Sequence, residues 1–134
     1  MNINRKFELG GPEGLQIYES YIEPAGAYWK NPDVLKFICG GANLSLELQR
    51  EPRNKYDPNA IKVIGIVRGW MFKKRYHVRY LSRESARKLV LGKFWPRVAA
   101  NLRRVTLNDE GYMHINFDLL GPVGRKKEYT TLTI

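Results

Sequence analysis

Cysteine, histidine and long apolar runs are all scarce in this 134-residue chain. Cys39 is the single cysteine, so no internal disulfide framework can form and a reducing compartment is expected. His77 and His114 lie far from it in sequence and read as strand histidines, so neither a metal nor any other cofactor is expected. Asp57, Asp109 and Asp118, the acids that a metal-assisted phosphodiesterase would draw on, fall in separate loops and strands with no ligand spacing. No apolar run approaches the roughly 18 residues of a membrane span. The opening Met1-Asn-Ile-Asn-Arg-Lys6 has no apolar stretch of the signal-peptide kind, so a cytoplasmic location without a membrane partner is expected. A Walker loop and a GxGxxG pattern are also missing, and nothing marks an activated nucleophile. The expectation is a binding protein rather than an enzyme.

Acid is lacking in one place above all. Between Arg68 and Arg104 stand twelve basic residues and one acid, Glu84, for a local charge of +11, while the whole chain carries +10. A segregated excess of this size attracts polyanions, and phosphate backbones are the commonest of these. An acidic membrane surface and an acidic protein are the other partners that such charge admits, and a basic but solvated face is the reading without a partner.

With 43% hydrophobic and 27% charged residues, the chain has the make-up of one globular domain. Residues 1–14, with paired glycines and Pro12, read as an irregular entry. Leu15 to Ile22 is aromatic and β-branched, which favours a strand. Asn31-Pro32 reads as a helix cap with proline in the first turn, followed by the apolar stripe Val34, Leu35, Phe37, Ile38; Cys39 lies in this stripe as a small core residue, and Gly40-Gly41 ends it. Leu44, Leu46 and Leu48 alternate with polar residues as a half-buried strand, and Ile61 to Val67 is apolar on both faces and therefore central. A loop from Arg68 to Phe72 carries Trp70 and Phe72 as exposed aromatics, and Arg75 to Leu81 forms the next strand. Ser82 caps a helix that runs to Leu91 and stops at Gly92. Val98 to Leu107 changes its alternation near Arg103-Arg104, which predicts a bulge. Asn108 to Gly111 is a hairpin turn, Met113 to Leu119 alternates strictly, and residues 122–134 read as a basic, polar tail with room for a last short strand. The expected order is β-α-β-β-β-α-β-β: mainly β with two short helices, in a small curled sheet or barrel.

Residues 48–63 read LQREPRNKYDPNAIKV. This resembles the signature of the HIRAN family, in which a strand and a basic-acidic-Pro turn lead into Asn-x-Tyr-Asp-x-Asn-Ala-Ile-x-Val and the next strand. The resemblance extends over residues 15–121, with Val78 to Val90 similar to the family's strand-then-helix segment; the central sixteen residues are its specific part. It implies an OB-like β-barrel of the kind found alone in bacterial and phage proteins or fused to fork-remodelling DNA translocases. It also implies a role in DNA repair, replication or processing through the 3′ end of single-stranded DNA, with bases stacked on aromatic side chains and an aspartate accepting a hydrogen bond from the terminal 3′-hydroxyl.

Against that chemistry Asp57 is the end-reading carboxylate, and Tyr56 either stacks on a base or forms a lid over the barrel end; carried over by position, Tyr21 is a stacking residue and Tyr112 a further aromatic contact. Tyr80 stands where some members have histidine, near the terminal phosphate or sugar. Asn54 is a turn former whose side chain could also reach a base edge. The pattern departs at Ser20, where DNA-binding members carry arginine, at Arg79, where glycine is usual, and at Lys55, which replaces a common proline. Arg79, Arg83, Lys73 and Lys74 are the cations available to take the missing arginine's place. Asp57 also has a purely local reading, in which it ties its turn by bonding the amide of Asn59 or Ala60. A second functional class is a protein-interaction module of a phage or mobile element that sets its basic face against an acidic host partner, such as a DNA-processing protein.

Overall fold

The computed structural model describes residues 3–7, 12–24, 43–110 and 112–133. Within them lie seven strands and two helices: β1 (Ile3–Lys6), β2 (Leu15–Pro24), β3 (Asn43–Arg50), β4 (Ile61–Gly69), β5 (Phe72–Tyr80), α1 (Arg83–Leu91), β6 (Ala99–Leu107), β7 (Met113–Pro122) and α2 (Lys126–Thr131). Every strand pairing is antiparallel. The strands form two sheets, β1-β6-β7-β2 and β3-β4-β5, and among the described residues no ladder closes them into a barrel. They adjoin where β3 runs beside β6, with Phe7, Leu44, Leu46, Ala100 and Leu102 around a cavity of about 220 Å³ at the seam. No helix among the described residues is long and apolar enough to cross a membrane. The helix expected from Asn31, with Cys39, falls outside the described residues.

Apolar periodicity explains the three-stranded sheet. In β3, Leu44, Leu46 and Leu48 are buried while Asn43, Ser45, Glu47 and Gln49 are exposed. In β4, Ile61, Val63 and Val67 are wholly buried, as befits a strand flanked on both sides. The expected bulge in β6 falls between Leu102 and Arg104. There Arg103 Nη1 meets Asp118 Oδ2 at 2.9 Å, and Ser20 Oγ donates to Asp118 Oδ1 at 2.8 Å, so both oxygens of this 4%-exposed carboxylate are satisfied. The hairpin at Asn108 closes through its side chain, whose Oδ1 accepts from the backbone of Glu110 and Tyr112. Gly121 is required by a close approach, since a Cβ there would lie 2.3 Å from the Tyr18 ring.

Three expectations are corrected. Residues 3–6 are not irregular: Ile3–Lys6 pairs along β6, from Ile3 opposite Leu107 to Lys6 opposite Arg104. Its polar, charged make-up concealed it, and that make-up suits the edge strand of a sheet. Phe72 is not a loop aromatic; it opens β5 opposite Gly69 and packs against the core. Residues 122–134 are not a mere polar tail, because Pro122 ends β7 and Lys126–Thr131 is helical. One residue anchors that helix. Tyr129 is 2% exposed, with its ring 4.9 Å from that of Tyr18 and 5.5 Å from that of Phe94. Tyr129→Ala should therefore lower unfolding stability by about 3–5 kcal/mol, read as a shifted urea midpoint; an unchanged midpoint would restore the tail reading.

Candidate functional site

Residues 51–60 connect β3 to β4, and the structure sets them against the junction of β5 and α1. Glu51 N donates to Ala60 O at the base of the turn, and Leu81 N donates to Ile61 O, which brings both connections to one end of the three-stranded sheet. Asn54 organises the turn. Its Oδ1 accepts from the backbone N–H groups of Tyr56 and Asp57 at 2.9 and 3.0 Å, and its Nδ2 donates to Glu51 Oε1 at 2.7 Å. Glu51 also accepts from the Tyr80 hydroxyl at 2.9 Å and pairs with Lys62 at 2.5 Å. Asn54 is thus committed to holding the loop rather than to reading a base edge.

Asn54, Tyr56, Asp57, Ala60, Tyr80, Leu81, Arg83 and Ala86 enclose a concavity of about 310 Å³, at the small end of the range for ligand sites. Ala60, Leu81 and Ala86 give it apolar walls, and Tyr56 stands at its rim with its side chain 80% exposed. Lys55 Nζ lies 5.2 Å from the Tyr56 ring centroid. Asp57 Oδ1 accepts from Asn59 N at 2.9 Å, the local bond that the sequence allowed. Its other oxygen, Oδ2, lies 3.8 Å from Arg83 Nε, whose side chain is well exposed. The site therefore places an aromatic face, a carboxylate and a guanidinium around one small hollow. That set can stack a planar group, accept from a hydroxyl and bind a phosphate oxygen.

The other expected site residues lie elsewhere. Tyr21 does not line the hollow; its ring stacks on Phe117 at 4.9 Å and its hydroxyl reaches Glu19 and Ser85. Tyr112 sits at the β6–β7 hairpin, five residues of strand, or about 17 Å, from Phe117. Lys73 and Lys74 lie at the far end of β5, although both are exposed, and Arg79 Nε bonds the Tyr80 carbonyl at 3.0 Å. The +11 stretch is likewise divided. Arg75 is paired with Glu47 and Arg103 with Asp118, while Arg83, Arg87 and Lys88 line a second hollow of about 420 Å³ between α1 and the residues after α2. Sequence reasoning left Arg87 and Lys88 out of the site. The spacing of Arg83 and Arg87, four apart on one helix, was the available signal.

Below the hollow, a single carboxylate oxygen ties three elements together. Glu19 Oε2 accepts from Ser85 Oγ on α1 at 2.8 Å, from the Tyr129 hydroxyl on α2 at 2.5 Å and from the Tyr21 hydroxyl at 2.9 Å. Burial pushes the Tyr129 and Tyr21 hydroxyls well above the usual tyrosine range, with the Glu19 carboxylate adding to the shift. The chain matches no known protein-family model, no curated protein and no solved structure.

The two tyrosines give a pH prediction. Above pH 10 the unfolded chain releases protons that the folded one keeps, so stability present below pH 10 is lost as the pH rises. Thermal midpoints taken from pH 8 to 11 should fall, and Tyr21→Phe, which removes one such group, should fall less steeply than the native chain. Parallel curves would mean that Tyr21 ionises as an ordinary surface tyrosine.

Proposed function

We propose that this protein is a nucleic-acid-binding module that holds the free 3′ end of single-stranded DNA in the hollow beside Asp57. The observation that carries this reading is the convergence of the exposed Tyr56 ring, the Asp57 carboxylate and the Arg83 guanidinium on one concavity of about 310 Å³. A carboxylate only accepts hydrogen bonds, so it favours a terminal hydroxyl and repels a terminal phosphate. Arg83 answers with the opposite preference a few ångströms away and suits the phosphate of the last linkage. Tyr56 offers its face to the terminal base. Arg87, one turn further along α1, adds a second guanidinium beside Arg83, while Lys88 is turned to Glu84 at 3.6 Å. The resemblance of residues 48–63 to the HIRAN signature supports the same end of the molecule. On this reading the two sheets are the halves of an OB-like barrel, with β3 beside β6 as its seam. The work of such a module lies in DNA repair, replication or processing, and no catalytic step is assigned to it.

Binding to single-stranded oligonucleotides should weaken with salt at a log–log slope of about −0.7 per phosphate neutralised, and a 3′-phosphate should cost far more affinity than a 5′-phosphate. Asp57→Ala should erase most of that end preference and leave the salt slope nearly intact. Arg83→Ala should lower the slope and keep the preference. An Asp57→Ala variant that discriminates as well as the native chain would remove the carboxylate from the site. Tyr56→Ala should weaken binding by about 1–3 kcal/mol while moving unfolding stability by no more than about 0.5 kcal/mol, measured by titration and denaturant melts on one preparation. Partners that survive nuclease treatment in a pull-down, with no oligonucleotide binding at low salt, would favour the protein-interaction reading instead.

A further inference from the structure

The β4–β5 hairpin carries a cluster of features that stability alone does not favour. Gly69 and Phe72 face each other across its end, leaving Trp70 and Met71 as the two turn residues, 89% and 85% exposed. Met71 has φ of 78°, the left-handed region that glycine normally fills in a turn of this kind. Gly69 is needed where it stands, because a Cβ there would fall 2.1 Å from the Phe72 ring. The left-handed position of the turn thus falls on Met71, an L residue with a long side chain, rather than on the glycine beside it. Directly below, Arg68 and Lys73 oppose each other across the strands, a like-charge pair that weakens a ladder. Two large apolar side chains, a strained backbone and two facing cations thus meet at one projecting tip, and strain retained at an exposed tip points to contact with a partner.

We propose that this tip is a second contact point for nucleic acid, in which Trp70 stacks on a base, Met71 packs beside it, and Arg68 and Lys73 hold the flanking phosphates. Facing cations select a polyanion, and an aromatic side chain among them selects one with planar groups along its backbone. Eight residues of β5, about 26 Å, separate Phe72 from Tyr80 at the end pocket. A strand of some ten nucleotides held at its 3′ end can span that interval, whereas a dinucleotide cannot. The inference rests on the nucleic-acid reading above and extends it from the last nucleotide to the path of the strand behind it.

The test is a titration of native protein, Trp70→Ala, Trp70→Phe and Met71→Gly with a twenty-nucleotide single strand ending in 3′-hydroxyl or 3′-phosphate, with anionic phospholipid vesicles as a separate arm. Trp70→Ala should lose about ten-fold or more in affinity for both strands, leaving the ratio between them unchanged, and Trp70→Phe should recover most of the loss. Met71→Gly should raise the thermal midpoint while weakening binding. Full affinity in Trp70→Ala, with the end preference intact, overturns the tip and leaves the end pocket standing. Absence of binding by the native protein overturns the nucleic-acid reading itself. Trp70-dependent binding to vesicles and not to strands replaces the nucleic acid with an anionic membrane surface and also overturns the proposal.

Discussion

The geometry of the candidate site depends on one oxygen atom, Glu19 Oε2. It accepts hydrogen bonds from a serine in α1, a tyrosine in α2 and a second tyrosine on its own strand. A carboxylate drawn below the surface is costly unless such donors meet it, and here the donors come from elements that otherwise share little contact. Ser85 follows Arg83 by two residues and precedes Ala86, a wall of the hollow. Fixing Ser85 thus sets how the first turn of α1 faces the Asp57 loop. Tyr21, expected as a base-stacking platform, serves the site from beneath by helping to hold that helix.

The loop on the other side of the hollow is also fixed before any ligand arrives. Asn54 satisfies two backbone donors, Asp57 satisfies the amide of Asn59, and Glu51 gathers Asn54, Tyr80 and Lys62. A loop whose own polar groups are paired loses little conformational freedom on binding, and preorganisation of this kind lowers the cost of association. Tyr56 is the exposed exception, since its ring projects outward while its backbone N–H is held by Asn54.

Much of the architecture was legible in residue patterns. The alternation of Leu44, Leu46 and Leu48, the two-faced apolar run of β4, the Ser82 cap and the bulge at Arg103 all follow from short-range rules, and the structure has each of them. What escaped was set by long-range packing. Ile3–Lys6 becomes a strand because β6 offers it an edge, and Lys126–Thr131 becomes a helix because Tyr129 finds Tyr18 and Phe94. The site shows the same division. The Asn54–Asp57 turn was readable because its bonds are local. Tyr112 was assigned by position, and Lys73 and Lys74 as stand-ins for a missing arginine, and the folded sheets carry all three away from the hollow. The charge of residues 68–104 read as one face, whereas bonds to Glu47 and Asp118 draw Arg75 and Arg103 out of it.

The bond between Tyr129 and Glu19 joins residues 110 positions apart. Contacts of that span close late, because the intervening chain must be ordered before they form. On a ribosome, Glu19 emerges early and remains without its α2 partner until Tyr129 has been added. The basic segments are made well before that point, so a nascent chain displays its charge before α1 is locked in place. The charge of the chain is thus complete before the bond that fixes α1 can form, and the order of synthesis separates the two in time.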